Sequence, residues 1–240
     1  MAKAFVRNLS ECYPGVPPRH VLSRGWSLVT PVETGVDTFK IFSVTEIWNG
    51  GAALPDVHPN ADHCYFIISG QGYSIINGKR YEYKANDVMW IPGNMEHEMY
   101  STGIETLRFA VTLTGMDFNQ TEPFIRNVTD LPSVIPPKHF DFYAIPVVNP
   151  QNGGSNTIEF LISECMPGGR AEADVHEDSD HVYYFLQGKG YTICDGEKMD
   201  LKVGDALYIP KGVSHAMHNT GSEVLRMIVT FAPARMVIRK

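Results

Sequence analysis

The chain contains no apolar run approaching the roughly 18 residues that a membrane-crossing helix needs, so a helical membrane protein is not expected. Residues 1–19 lack the apolar centre of a signal peptide, and a cytoplasmic location is the resulting expectation. It has no basic stripe: the formal net charge is −7 and the lysines and arginines are interspersed with acids, which argues against a nucleic-acid partner. The four cysteines, Cys12, Cys64, Cys165 and Cys194, form no Cys-x-x-Cys pair, which points to reduced thiols filling ordinary positions. No 3.6-residue apolar pattern runs beyond about two turns, so long helices are not expected either.

What remains is an ordinary globular composition, 43% hydrophobic and 20% charged, with 21 Gly and 16 Pro suited to many short strands and turns. The most informative feature is internal repetition. Shifting the chain by 118 residues lays Glu46 to Thr112 on Glu164 to Thr230 without a gap. A repeat of that length is a whole domain and not a solenoid unit. Two equivalent domains are expected at 31–115 and 146–234, with an N-terminal arm (1–30), an ordered linker (116–145) and a short C-terminal tail (235–240).

Within each repeat the period is that of strands. Runs such as Cys64-Tyr-Phe-Ile-Ile and Val182-Tyr-Tyr-Phe-Leu are rich in β-branched and aromatic residues and bounded by Gly. Asn77-Gly78 and Asp195-Gly196 each lie between two such runs, the favoured chemistry of a type I′ hairpin. An all-β architecture of sandwich or small-barrel type follows.

Six of the nine histidines fall on repeated positions: His58, His63 and His97 in the first half, and His176, His181 and His215 in the second. Asp56 and Asp174 precede the first histidine of each set by two residues and are expected on its face of one strand. The turn-forming Pro59-Asn60-Ala61-Asp62 lets the chain reverse, so that His63 comes to lie beside His58, and His97 arrives from a third strand. Asp62 and Asp180 read as turn formers. Neutral imidazoles converging in a barrel are donors for a divalent transition metal (Fe, Mn, Zn, Ni or Cu), one ion per barrel. His20, His139 and His218 read as structural. Cys64 is expected on the strand face opposite His63.

These residues resemble the cupin superfamily. Gly204, Pro210, Gly212, His215 and Asn219 match its second motif, Gly-x5-Pro-x-Gly-x2-His-x3-Asn, and Asn86, Pro92, Asn94, His97 and Ser101 match it loosely. The resemblance implies two tandem jelly-roll barrels. The first motif departs from the family: Asp56 and Asp174 stand where the first His is usual, and His63 and His181 where the Glu is usual. The donor set becomes three His plus Asp56 or Asp174, each of which could bind the ion, orient an imidazole or form a turn. That departure weakens transfer from members that use three His and one Glu, such as oxalate decarboxylases.

Four further residues are candidates for catalysis. Glu46 and Glu164 could act as a general base if they face inward, and are solvated strand residues otherwise. Tyr65 and Tyr183 share the faces of His63 and His181 and are expected to line the cavities. Arg108 and Arg226 are strand residues able to clamp a carboxylate. The leading expectation is a metalloenzyme using the ion as Lewis acid on a small oxo- or hydroxy-acid, by isomerisation, elimination or hydrolysis. A non-haem iron dioxygenase and a non-catalytic binding module are the alternatives. The partners expected are a small-molecule substrate and a second copy of the chain, in a homo-oligomer such as a homodimer.

Overall fold

The structure, a computed structural model, describes residues 3–117 and 122–235. The expected tail, residues 235–240, lies outside them apart from Arg235. The first half contributes β1 (Phe5–Asn8), β2 (His20–Val29), β3 (Phe39–Asp56), β4 (His63–Ser69), β5 (Gln71–Ile76), β6 (Lys79–Lys84), β7 (Asp87–Ile91), β8 (His97–Ser101) and β9 (Leu107–Thr114). The second repeats the set as β10 (Phe124–Asn127), β11 (His139–Val148), β12 (Glu159–Asp174), β13 (Asp180–Gln187), β14 (Lys189–Cys194), β15 (Glu197–Lys202), β16 (Asp205–Ile209), β17 (His215–Asn219) and β18 (Leu225–Ala232). No described helix is long and apolar enough to cross a membrane.

The strands form two nine-stranded, barrel-like sheets. Each hairpin closes where the sequence asks for it: Asn77 and Gly78 take φ of 46° and 78°, and Asp195 and Gly196 take 48° and 83°, the left-handed pair of a type I′ turn. Gly72 and Gly190 mark where β5 and β14 press against their neighbours. A Cβ there would stand 1.9 Å from the carbonyl oxygen of Tyr100, or 2.1 Å from that of His218.

The pairing moves the expected boundaries. Strand β2 pairs with β3 and β11 pairs with β12, so all of β2 and the first seven residues of β11 join sheets from outside the 31–115 and 146–234 limits. The arm and the linker also carry one strand each across the molecule. β1 adds to β16 of the second sheet with Phe5 opposite Tyr208, and β10 adds to β7 of the first with Phe124 opposite Trp90. Matching side-chain bonds hold both: Asn8 Nδ2 donates to Asp205 Oδ1 at 2.6 Å, and Asn127 Nδ2 to Asp87 Oδ1 at 2.7 Å. The arm is thus itself repeated, Phe5-Val-Arg-Asn on Phe124-Ile-Arg-Asn.

Strand alternation divides the side chains between two environments. Phe42, Val44, Cys64 and Phe66 point out of the first barrel and meet Phe160, Ile162, Val182 and Tyr184 in one buried core between the barrels. Alternate residues point into each barrel: Tyr65, Met99, Phe109 and Val111 in the first, Leu161, Tyr183, Met217 and Phe231 in the second. All four cysteines are free. Cys64 lies in the core between the barrels, on the face opposite His63, as the alternation requires.

Asp62 is the main polar contact between the halves. It is fully buried and accepts from the backbone N–H of Gly93 at 3.0 Å and of Asp117 at 3.1 Å. Across the interface it accepts from Ser155 Oγ at 2.6 Å and Thr157 Oγ1 at 2.9 Å. It is a buried structural acceptor more than the turn former expected of it. Asp62→Asn turns one carboxylate oxygen into a donor facing donors, and should cost on the order of 3 kcal/mol. Urea unfolding is the measurement. Asp180→Asn, whose carboxylate accepts the equivalent amide of Lys211 at 2.9 Å, should cost less.

Candidate metal centres

In each barrel the three repeated histidines meet. The ligand atoms of His58, His63 and His97 all lie within 4.8 Å of one another, as do those of His176, His181 and His215. The ring centroids in the first triad are 4.5, 4.7 and 5.4 Å apart, and in the second 4.5, 4.9 and 5.3 Å. His63 and His181 stand at or next to the first residue of a strand, and His97 and His215 open theirs. His58 and His176 lie in the turns after β3 and β12, not on the strands themselves. The turns are tied together: Asn94 N–H donates to the His58 carbonyl at 3.3 Å and Gly212 N–H to that of His176 at 2.9 Å. The Asp62–Gly93 and Asp180–Lys211 bonds fasten the turn before His97 or His215 to the strand carrying His63 or His181.

Two observations fit these triads to a metal ion. His97 Nδ1 lies 2.9 Å from the Met95 carbonyl and His215 Nδ1 3.1 Å from that of Val213. A carbonyl only accepts, so each Nδ1 carries the proton and each Nε2 is left with its lone pair. His63 Nε2, His58 Nδ1 and both nitrogens of His181 are buried without a hydrogen-bond partner. Unpartnered buried nitrogens that face one another are costly unless something binds them. Burial, reinforced by the neighbouring imidazoles, holds His63 and His181 well below the ordinary histidine range, and His176 is lowered to about 4. At these positions the imidazoles are neutral donors.

Asp56 and Asp174 line the cavities but stay out of the triads. Asp56 caps its neighbour Val57 N–H at 2.9 Å, with its second oxygen 3.7 Å from His58 Nε2. Asp174 is held by Lys138 Nζ at 2.8 Å. Burial raises its carboxyl, but the Lys138 and Val175 hydrogen bonds outweigh that and leave it below the ordinary range. The expected set of three His plus Asp is therefore three imidazoles with a carboxylate alongside, because β3 and β12 end at the aspartate and the histidine swings into the turn.

Glu46 and Glu164 do not enter the cavities. In this part of β3 the residues facing the cavity are Ile41, Ser43 and Thr45, so Glu46 belongs to the other face. There it meets Arg24 Nε at 2.8 Å and Arg108 Nε at 3.8 Å. Glu164 is paired with Arg226 Nε at 3.3 Å. Arg108 and Arg226 thus face the chain's own carboxylates.

Tyr65 and Tyr183 do line the cavities. The Tyr65 hydroxyl lies 3.2 Å from His63 Nδ1 and 3.4 Å from His97 Nε2, and burial pushes both phenols up so that they stay protonated. His20 and His139, read from sequence as structural, also line the cavities. Their Nδ1 atoms lie 2.8 Å from the Pro18 carbonyl and 2.7 Å from that of Pro137, and the preceding Arg19 and Lys138 adopt left-handed φ of 60° and 62°. The signal was present as Pro-Pro-x-His in both halves, 119 residues apart.

The cavities differ. The first encloses about 850 Å³ and includes Trp26, Ser43, Thr45 and Phe109; the second, about 510 Å³, includes Leu161, Phe231, Glu159 and Arg235.

Comparison with known proteins agrees with this geometry. Residues 43–113 and 161–231 each match the Cupin domain family. An oxalate-binding protein of Thermotoga maritima is 32% identical over 69 residues, 29% of this chain and 57% of its own length. The chain spans about half the length of the curated relatives it matches. Among solved structures, a glyoxylate-induced protein from Pseudomonas aeruginosa superposes with a TM-score of 0.85 at 17% identity, over 100% of this chain and 92% of that one. An oxalate decarboxylase variant from Bacillus subtilis gives 0.79 at 13% identity, over 98% and 78%. At such identities the structural likeness speaks for the fold alone.

The imidazoles set a pH dependence. In the metal-free protein His176, His63 and His181 have lowered folded values, so between about 4 and the unfolded value near 6.5 the unfolded chain binds more protons than the folded one. Stability should therefore be full above pH 6.5 and fall as the pH drops toward 4. Thermal melts of metal-stripped protein across that window read it; a flat profile would contradict neutral, buried imidazoles.

Proposed function

The chain belongs to the cupin family, with one domain in each half, and on that premise we propose that it is a divalent-metal-dependent enzyme acting on a small oxo- or hydroxy-acid. The observation that carries the reading is the pair of three-imidazole clusters with unpartnered buried nitrogens, one in each barrel. His58, His63 and His97 would hold one ion and His176, His181 and His215 another. A bound ion supplies Lewis-acid polarisation of a carbonyl or carboxylate oxygen.

Three neutral donors leave the full charge of a dication unbalanced, which favours a substrate that is itself anionic. The chain's residues do the remaining work. The apolar walls of Met99, Phe109 and Val111, and of Leu161, Val229 and Phe231, limit water around the bound substrate. The protonated phenols of Tyr65 and Tyr183 offer a hydrogen bond to a substrate oxygen. Isomerisation, elimination and hydrolysis all fit this arrangement.

The exclusion of Asp56 and Asp174 from the triads supports a second reading. A centre without a carboxylate ligand keeps more positions open, and such a site suits a non-haem iron dioxygenase acting on a catechol- or diketone-like substrate. Oxygen consumption by the iron-loaded protein separates the two.

Metal analysis of the purified, reloaded protein tests the premise of both. Two ions per chain are expected, falling to one in His63→Ala and one in His181→Ala, and to none when both are changed. Retention of two ions in either single variant would rule out the triads as the binding sites.

A further inference from the structure

The second cavity ends in an ion pair whose two positions in the repeat carry no such pair in the first barrel. Glu159 is 2% exposed and is held by Arg235, with Nε to Oε2 at 3.0 Å and Nη2 to Oε1 at 2.9 Å. At the positions related by the repeat the first barrel has Ile41 and Asp117, and Asp117 faces Asn156 instead of a cavity. The pair is therefore not a requirement of the fold.

Arg235, itself exposed, lines the second cavity. Its guanidinium carbon sits 3.6 Å from the centroid of Phe231, and the other neighbours of that ring are His181 at 4.3 Å and His176 at 5.4 Å. One aromatic side chain thus separates the cation from two imidazoles of the triad. Glu159 uses one Nε and one Nη2 hydrogen; the Nη1 amino group and the second Nη2 hydrogen have no partner among the described residues. A guanidinium with free donors, its orientation fixed by a buried carboxylate and an aromatic face, is arranged to take an oxyanion in a fork.

The charges around it point the same way. The three carboxylates lining the cavity already have their own cations, Glu159 with Arg235, Asp174 with Lys138 and Glu172 with Arg170. No negative charge is left over to balance a dication on three neutral imidazoles. We infer that Arg235, oriented by Glu159 and Phe231, is the carboxylate-recognising residue of the second barrel, which makes that barrel selective for small carboxylate anions. The first cavity is larger and has Ile41 in place of Glu159; the arginine in its wall, Arg7, is tied to Glu33 and to the Leu28 carbonyl instead. The inference rests on the metal-centre reading for the ligand's other end.

The test uses full-length protein carrying His63→Ala, loaded with Mn²⁺ and assayed for metal, and titrated calorimetrically with oxalate and with its neutral analogue oxamide. Fluorescence of Trp26, which lines the first cavity, reports any oxalate entering the other barrel. Glu159→Gln/Arg235→Gln removes both charges together, so that no buried glutamate is left unpaired. The double variant should bind oxalate at least tenfold more weakly with unchanged metal content and melting temperature, while Glu159→Gln alone keeps the affinity or raises it. Oxamide should bind at least tenfold more weakly than oxalate. Equal oxalate affinity in parent and double variant, equal affinity for oxamide and oxalate, or no oxalate binding by the loaded parent would each overturn the role of Arg235. A chain that retains no Mn²⁺ refutes the metal centres instead. The same titration on the metal-free chain then decides: oxalate binding lost in the double variant supports Arg235, and no binding overturns it.

Discussion

Both clusters of imidazoles depend on a carboxylate–amide bond that never touches them. Asp62 and Asp180 accept from the backbone of Gly93 and Lys211, and so fix the turn before one histidine against the strand of another. Such a bond resists displacement because a buried carboxylate deprived of its donors is expensive. Preorganisation of the donors follows from it. The imidazoles are held close before any ligand arrives, with two of their protons already committed to the Met95 and Val213 carbonyls. In the first barrel the same carboxylate extends to Ser155 and Thr157 of the other half, so the metal pocket and the joint between barrels share one anchor.

Much of this was legible in the amino-acid order. The histidines recur at one spacing, and a repeat turns a weak local pattern into a strong one; the hairpins were given by Asn-Gly and Asp-Gly. Other features were hidden for definite reasons. The arm's kinship to the linker was missed because it runs at an offset of 119 and not 118, a single residue being lost between the two registers. An ungapped shift cannot see both. With it went His20 and His139, which look unrelated until their Pro-Pro-x-His contexts are set side by side.

Glu46 shows a different limit. Alternation says which residues share a face, but not which face is the cavity, when both faces of a strand are buried. Phe42 and Val44 are as apolar as a barrel lining, yet they belong to the core between the barrels. Ser43 and Thr45, which sequence would send to solvent, line the cavity. The place of the aspartates follows a related rule: a face is defined only while the strand lasts, and β3 and β12 stop at Asp56 and Asp174.

The crossing of β1 and β10 has a bearing on how such a chain is assembled. Each half completes the other's sheet with its own leading strand, and the edges of β7 and β16 are covered only from across the molecule. A chain half as long would carry a bare edge and, ahead of its barrel, a strand shaped to cover that edge in a second copy. Two-fold exchange between separate subunits and exchange within one polypeptide are then the same architecture. The covalent join adds freedom: once both halves are tethered, each can change its cavity without losing its companion, as Ile41 and Glu159 already show.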